Sequence, residues 1–175
     1  PPGAILKQEG IEMAEENTAA GEEQQKPRFV IQKIYTKDVS FESPNSPEIF
    51  REEWRPQLDL QLGNEYNRID DDTHEIILSV TVTAKVGDKT AFLVEVKQAG
   101  IFTLTGYTTE EMGPLVGSYC PNTLFPFVRE VVSDLVTKGG FPQLVLAPVN
   151  FDAMYLHQKE QVERQAREAK SNTTH

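Results

Sequence analysis

Only one cysteine, Cys120, occurs among the 175 residues, so the chain cannot form an internal disulfide. This scarcity of thiols is typical of proteins from reducing compartments. No stretch approaches the roughly 20 apolar residues that a membrane-spanning helix requires. No charged segment followed by an apolar one opens the chain in the manner of a secretory signal. The sequence therefore predicts a soluble protein that does not insert into a membrane.

Basic residues are also few, since 17 Lys and Arg stand against 27 Asp and Glu, which gives a net charge of −10. The acidic excess lies in the middle of the chain, where residues 29–152 contain 10 basic and 18 acidic side chains. Nucleic-acid binders draw most of their affinity from Lys and Arg that neutralise phosphates. The charge balance therefore excludes a nucleic-acid binder.

Motifs of enzyme chemistry are missing as well. The chain lacks the metal-binding patterns HExxH, CxxC and the EF-hand loop, and it lacks GxGxxG and the P-loop. Cys120 has no histidine at a spacing that implies pairing, so we interpret it as a buried structural thiol. We interpret Asp70–Asp72 as a solvated turn rather than a cation site. The sequence therefore predicts no catalytic residue, no metal and no cofactor.

Composition divides the chain into three parts. Residues 1–28 are acidic and almost free of aliphatic runs, so we expect them to be disordered. We interpret residues 1–12 as fused sequence, because Met13 would make a plausible natural start. Residues 29–158 carry the apolar patterns of a folded domain that is long enough to bury a core. Residues 159–175 are polar and are predicted to form a helix end and a tail.

Alternation of apolar and polar residues predicts four β-strands in the first half of the domain. The strands begin near Phe29, Trp54, Ile76 and Phe92. Gly63-Asn64 is predicted to end the second strand. Because turns join the four strands in sequence, we expect them to form an antiparallel meander.

Helices are predicted after the strands. Thr108 and Glu111 fit a capping box at the start of the first helix. Gly113-Pro114 is predicted to weaken or kink this helix, and Pro121 to allow a second one to begin. Residues 141–151 are apolar and rich in proline, which predicts a buried or interface-lining loop, and a last helix follows from residue 152. Strands followed by helices indicate an α+β fold.

Two signals unrelated to catalysis remain. Aromatic and apolar residues in irregular segments exceed what a small core can take up, which favours either a groove for apolar peptide or an oligomer interface. Asp38 and Glu42 share one face of the first strand, and Glu95 lies beside Leu93 on the fourth. From spacing alone, a negative face that docks a basic partner and an ordinary solvated strand face carry equal weight.

Several ordered strings of unusual composition stand out. They are IYTKDVSFESPN at 34–45, AFLVEV at 91–96, GIF at 100–102, YCPN at 119–122, LFP at 124–126, FPQL at 141–144 and LAPVNFDA at 146–153. These strings resemble SecB, the family of bacterial protein-export chaperones, and the similarity runs from Phe29 to Leu156. Gly113-Pro114 interrupts a helix that is more regular in relatives, and residues 1–12 match nothing in the family.

The resemblance implies a four-stranded antiparallel sheet followed by long helices, assembled as a homotetramer that is a dimer of dimers. It implies no enzyme activity and no cofactor. It implies instead an ATP-independent chaperone of the cytoplasm that binds unfolded precursor proteins in an apolar groove, keeps them competent for translocation and delivers them to the SecA ATPase.

The resemblance also implies three sets of site residues. Those for SecA binding are Asp38, Glu42, Leu93 and Glu95; those for client binding are Trp54, Leu58, Leu60, Leu62, Phe127 and Tyr155; those for the oligomer interface are Val94, Val96 and Gln98. The acidic set coincides with the face that spacing had picked out, and the client set overlaps the aromatic excess.

Two other functions stay open. An acidic adaptor protein would share the acidic face but would not suppress the aggregation of unfolded protein. A SecB-like chaperone could also serve a toxin–antitoxin system instead of export.

Overall fold

The computed structural model describes residues 26–172. Its elements are strand β1 (Arg28–Glu42), a 3₁₀ turn (Glu48–Arg51), β2 (Gln57–Arg68), β3 (Thr73–Val86), β4 (Lys89–Thr105), helix α1 (Thr109–Pro114), a π-helical turn (Leu115–Tyr119), α2 (Cys120–Lys138) and α3 (Phe151–Asn172). Strands followed by helices confirm the expected α+β class. The predicted disordered segment lies outside the described residues except for 26–28, and Arg28 already belongs to β1. The end of the predicted tail, residues 173–175, also lies outside them.

The four strands form one antiparallel sheet in the order β1-β4-β3-β2. The expected meander is therefore correct only for β2, β3 and β4. β1 pairs with β4 instead of β2, because the connection through residues 43–56 is too long for a hairpin turn and carries the chain across the end of the sheet. As a result β1 and β2 are the two edges of the sheet.

The second strand does not end at Gly63-Asn64 as predicted. Its pairing with β3 continues from Gly63 opposite Ser79 to Arg68 opposite His74. A glycine can remain in a strand when its backbone groups stay paired, although it contributes no side chain to packing. The true turn lies at residues 69–72, where the Asp70 carboxylate accepts backbone hydrogen bonds from Asp72 and Thr73.

The helix that begins at Thr109 passes through the predicted kink without a break. The predicted capping box is present, with the Thr108 backbone N–H donating to the Glu111 carboxylate at 2.9 Å. After Pro114 the chain adopts a π-helical turn, and α2 follows directly at Cys120. In a π-helical turn the backbone departs locally from the regular i→i−4 hydrogen-bond ladder. The absence of a backbone N–H on proline is therefore tolerated there. The predicted restart is confirmed, since α2 begins at Cys120 with Pro121 in its first turn, and the irregularity lies just after Gly113-Pro114 as expected.

The hydrophobic core lies between α2 and the central strands. Alternate residues of β3 and β4 are buried on one face, as the alternation predicted. Against them α2 packs the apolar stripe of Leu124, Val128, Val132 and Val136, whose spacing places all four on one side of the helix. The loop of residues 141–150 is anchored to the core at both ends, by the buried ring of Phe141 and by that of Phe151 at the start of α3. One face of the sheet is thus covered by helix and loop, and we call the other the open face.

The last helix, α3, begins at Phe151, and residues 156–169 of it are exposed. Its first turn is fixed by the Asn150 side-chain oxygen, which accepts a 3.0 Å hydrogen bond from the Ala153 N–H, and by a hydrogen bond from the Ser118 hydroxyl to the Asp152 carboxylate. Within the part of the chain that the structure describes, no helix is long and apolar enough to cross a membrane.

Candidate functional site

Two β-bulges in β1 decide which of its side chains reach each face of the sheet. The register with β4 shifts by one residue between Ile31 and Lys33, and again between Thr36 and Asp38. Each bulge places an extra residue in β1 and so reverses the alternation of its side chains. After the second bulge, alternate residues of β1 from Asp38 onward lie on the open face.

The open face brings together the four residues predicted for SecA binding. Asp38 lies opposite Lys97 and Glu42 lies opposite Leu93, across the pairing of β1 with β4. Glu95 lies between Leu93 and Lys97 on the same side of β4. Asp38 and Glu42 are exposed, whereas Leu93 and Glu95 are half-buried. We call Asp38, Glu42, Leu93 and Glu95 the acidic patch.

Two charged residues that the sequence analysis did not assign belong to the same face. Asp59 of β2 lies opposite Thr83, which lies opposite Leu93, so carboxylates extend across the full width of the sheet. Lys97 places a positive charge at the edge of the patch, with its Nζ 3.5 Å from the Glu65 carboxylate. Residue alternation could have placed both on this face. Lys97 is two residues from Glu95 on β4, and Asp59 lies between two leucines of β2 that face the other way.

Next to the acidic patch, the buried carboxylate of Glu75 accepts three side-chain hydrogen bonds. The donors are Tyr35 and Lys37 of β1 and Asn67 of β2, with distances of 2.7 Å to Lys37 and 3.0 Å to Asn67. The bonds from Lys37 and then Tyr35 lower the pKa of Glu75 to about 2. The bond to Glu75 in turn raises the pKa of Tyr35 to about 12. We call these four residues the Glu75 clamp.

On the helix-covered face, the leucines of β2 form an apolar strip that the helices leave open. Leu58, Leu60 and Leu62 lie opposite buried residues of β3, so they share its core-facing side. Leu58 and Leu60 are nevertheless 51% and 42% exposed, because β2 is the outermost strand. Contiguous exposed aliphatic side chains are unusual on the surface of a monomeric protein, and they are typical of sites that bind another protein or a ligand.

Trp54 lies at one end of the apolar strip within a group of aromatic rings. It stacks on Phe92 at a centroid distance of 6.5 Å and packs at a tilt against Phe141 at 5.4 Å. Phe50, which the sequence analysis did not assign, is half-exposed and lies 5.0 Å from Phe141. Trp54 is therefore partly a core residue and partly an exposed ring at the entrance of the strip.

Tyr155 lies at the other end of the strip. It lines a cavity of about 440 Å³ together with Leu62 and Gly117. A Cβ atom at Gly117 would lie 2.3 Å from the Tyr155 ring, and one at Gly113 would lie 2.4 Å from its hydroxyl. These two glycines therefore form a notch that seats the ring. Sequence reasoning missed the notch, although glycines four apart on a helix were a visible signal.

Phe127 does not lie with the other predicted client-binding residues. The loop contacts the flank of α2 that carries Arg129 and Ser133. Helical periodicity places Phe127 on the opposite flank, toward the β1 edge of the sheet. There Ile31 and Val39 of β1 are also exposed. The structure thus separates Phe127 from the apolar strip and groups it with a second apolar surface.

The three residues predicted for the oligomer interface are buried within the single chain. Val94 and Val96 are fully buried beneath α2, and Gln98 is 3% exposed and accepts a hydrogen bond from Thr36. They therefore present no side-chain surface that a second subunit could touch. Helix α2 of the same chain covers this face, so a role of the three residues at an interface between subunits stays a prediction.

Reactive chemistry is not assembled among the described residues. Residues 26–172 contain no group of three His, Cys, Asp or Glu side chains placed to hold a metal ion. Cys120 is buried, and this burial raises the pKa of its thiol to about 12, which keeps it protonated and unreactive.

The chain is similar throughout its folded part to proteins of one family. The family model described as "Preprotein translocase subunit SecB" matches residues 22–162. The protein-export protein SecB of Nitrosococcus oceani is 63% identical over 153 residues, which is 85% of this chain and 93% of the relative. The protein-export protein SecB of Methylococcus capsulatus is 55% identical over 85% of this chain and 97% of its own.

A solved structure shares the fold at much lower identity. It is a SecB-like chaperone of Mycobacterium tuberculosis in complex with a ChAD peptide from the HigA1 antitoxin, with a TM-score of 0.59 and 18% identity. The alignment covers 70% of this chain and 91% of that one. This likeness supports the sheet-and-helix architecture described above.

Proposed function

We propose, from the premise that this chain belongs to the SecB family, that it holds unfolded preproteins along the apolar strip and transfers them to SecA through the acidic patch. Membership rests on a family model that matches residues 22–162 and on relatives up to 63% identical over most of the chain. The chain is accordingly a preprotein-export chaperone, which is not an enzyme class. The observation that supports the division of labour is that one sheet carries two opposed faces, one with an uncovered row of leucines and one with clustered carboxylates.

The apolar strip is suited to unfolded chains. Leu58 and Leu60 are exposed, and aromatic rings at Trp54 and Tyr155 mark the two ends of the row. β2 is a sheet edge within the chain, so its outer backbone groups can pair with an extended client while its leucines contact client side chains. Burial contributes roughly 25 cal/mol per Å² of apolar surface. Long unfolded segments therefore bind more tightly than folded proteins, and the holding step uses no ATP.

The acidic patch is suited to a basic surface of SecA. Asp38 and Glu42 are exposed on the open face, and Glu95 and Leu93 are half-buried beside them, with Leu93 as an apolar contact. Attraction between exposed charges mainly accelerates and orients the encounter, and it weakens as salt increases. Because the patch and the apolar strip lie on opposite faces, SecA can bind while a client is still held.

We further propose a homotetramer, a dimer of dimers, that resides in the cytoplasm. The surface that supports assembly is the β1 edge and the adjacent flank of α2, where Ile31, Val39, Tyr119 and Phe127 are all 43% exposed or more. In this arrangement Val94, Val96 and Gln98 affect assembly indirectly, through the packing of α2 on the sheet. Several strips on one assembly would bind one long client with higher avidity.

The export role is favoured over service to a toxin–antitoxin system. Relatives named for protein export are 49–63% identical to this chain, whereas the SecB-like chaperone bound to an antitoxin peptide is 18% identical. The role of an acidic adaptor without chaperone activity would not explain why the leucines of β2 are exposed.

The decisive experiment measures the aggregation of a denatured export precursor with and without this protein. Suppression that is equal in the presence and absence of ATP is the expected result. Trp54 is the only tryptophan, so its emission reports client binding at the end of the apolar strip. Unsuppressed aggregation would contradict the chaperone role, and light scattering at the mass of a single 19.7 kDa chain would contradict the tetramer.

A further inference from the structure

We infer that the Glu75 clamp is a positioning element of the SecA-binding face, because it pins the β-bulge that sets Asp38 and Glu42 on the open face. The inference rests on the proposed docking role of the acidic patch. It adds a set of residues, Tyr35, Lys37 and Asn67 around Glu75, that the SecA-binding set did not include.

Lys37 occupies the second bulge of β1. The register of β1 with β4 shifts between Thr36 and Asp38, so Lys37 is the extra residue of the second bulge. A bulged residue lacks a normal partner on the neighbouring strand and bends the strand locally. Its conformation must therefore be fixed by something other than the ladder.

The Lys37 side chain supplies that constraint. Its Nζ lies 2.7 Å from the Glu75 carboxylate on β3, which is not the neighbour of β1 but the strand beyond it. Tyr35, two residues earlier, donates to the same carboxylate. Both contacts cross over β4 on the open face, where Ala99 is completely buried beneath them. The edge strand is thus tied to the centre of the sheet at the bulged residue itself and two residues before it.

The bulge decides the orientation of the patch residues. Ile34 and Phe41 lie an odd number of residues apart, yet both pack toward the core, which requires one extra residue between them. The bulge at Lys37 is that residue. It keeps Phe41 in the core while Asp38 and Glu42 face outward beside Leu93 and Lys97. Loosening the bulge would leave the patch with its charges but without their fixed spacing.

A substitution of Lys37 distinguishes a positioning role from a purely electrostatic one. Replacing Lys37 with methionine removes a positive charge next to the acidic patch. If charge alone mattered, Lys37→Met would bind a basic partner at least as tightly as the unchanged protein. If Lys37 positions the patch, the same variant binds SecA more weakly although the patch has become more negative.

The test titrates SecA into the full chain and into five variants at one salt concentration, one of which is Asp38→Lys. Lys37→Met and Glu75→Gln are expected to weaken binding roughly two- to thirtyfold, the range seen for mutations that act through a packed network. Lys37→Arg, which keeps the ion pair, is expected to restore most of the affinity. Lys33→Met, which removes the same charge on the same strand outside the clamp, is the matched control and is expected to bind no more weakly than the unchanged protein.

Two further measurements separate the possible failures. Amide hydrogen exchange in residues 36–42 is expected to accelerate in Lys37→Met while residues 58–62 stay protected, and client holding is expected to be unchanged. Unweakened SecA binding by Lys37→Met, alongside weakened binding by Asp38→Lys, would overturn the positioning role alone. Unweakened binding by Asp38→Lys itself would overturn the docking face, and with it the positioning role.

Discussion

Tyr155 of α3 rests on the bare backbone of Gly117, where any larger residue would collide with its ring. A Cβ atom at Gly117 would lie 2.3 Å from Tyr155 Cδ2, a distance that real Cβ contacts do not show. This contact attaches the start of α3 to the π-helical turn, and it holds one ring at the end of the apolar strip. Packing of α3 and the position of the ring at the end of the apolar strip are therefore set by the same glycine.

We expect Gly117→Ala to lower stability although alanine is the better helix former. Helix propensity alone would stabilise the protein by roughly 0.5–1 kcal/mol. The collision with Tyr155 costs about 1–3 kcal/mol, as overpacking of a filled site generally does, and outweighs this gain. Chemical denaturation measures the free energy of unfolding. Gly63→Ala is the control, since its new methyl group would meet Ser79 Cβ at an ordinary 3.6 Å.

A double-mutant cycle identifies the cause of that loss. Gly117→Ala made in a Tyr155→Ala background is expected to be neutral or stabilising, because the ring that collides with the methyl group is gone. A loss of stability that persists in this background would show that the notch is not what makes Gly117 necessary.

Leu60→Ser is expected to weaken client holding more than it changes stability. Leu60 is 42% exposed, so the substitution removes apolar contact surface that the folded chain does not fully bury. Aggregation suppression of a denatured precursor should fall, while the free energy of unfolding changes by less than about 1.5 kcal/mol. Ile69→Ser is the control, because Ile69 is an exposed aliphatic residue (55%) at the β2–β3 turn outside the strip, and it should leave holding intact. Equal effects of the two variants would mean that the strip is not the client site.

Much of this architecture follows from residue patterns alone. Strict alternation located β3 and β4, and the spacing of Leu124, Val128 and Val132 located the buried side of α2. Spacing placed Asp38 and Glu42 on one face of β1 and Glu95 beside Leu93 on β4, and the register of the two strands puts all four on the open face. Local pattern carries this information, since it reflects which side of an element is buried.

Other features depend on contacts between distant parts of the chain. Local pattern did not show that β1 joins β4, because pairing at the sheet edge is decided by which surfaces remain to be buried. Burial of Val94 and Val96 by α2 has the same origin, since an apolar strand face looks alike beneath a helix or another subunit. The bulge at Lys37 was visible only as a change of parity between Ile34 and Phe41, and its partner Glu75 is distant in sequence.

We expect Lys97→Gln to strengthen SecA binding. Lys97 lies opposite Asp38 and reduces the negative potential of the acidic patch. Lys97 is half-buried at the surface, and removing one such charge changes binding by about 0.2–1 kcal/mol, so the gain should be small and largest at low salt. Calorimetric titration at two salt concentrations measures it. Glu95→Lys is the reverse change, and it should weaken SecA binding while client holding stays normal.

A result in which Glu95→Lys binds SecA normally but no longer holds clients would mean that the two surfaces have been assigned the wrong way round. Loss of both activities, together with a lower free energy of unfolding, would instead place Glu95 among the residues that stabilise the sheet.

Glu75 is expected to make the stability of the fold depend on pH in the acid range. Its pKa is about 2 in the folded protein, below the ordinary value of 4.5, because Lys37 and Tyr35 bind its charged form. The unfolded chain therefore takes up a proton before the folded chain does, and stability falls as pH decreases through the interval between these two values. Above that interval the contribution of Glu75 is fully present.

The difference in the free energy of unfolding between the unchanged protein and Glu75→Gln should accordingly be largest near neutral pH and shrink as the pH approaches 2. Glu130→Gln, on the exposed side of α2, is the matched control and should change stability by less than about 0.5 kcal/mol. A Glu75→Gln difference that stays constant across the acid range would show that the charge of Glu75, and with it the ion pair to Lys37, does not stabilise the sheet.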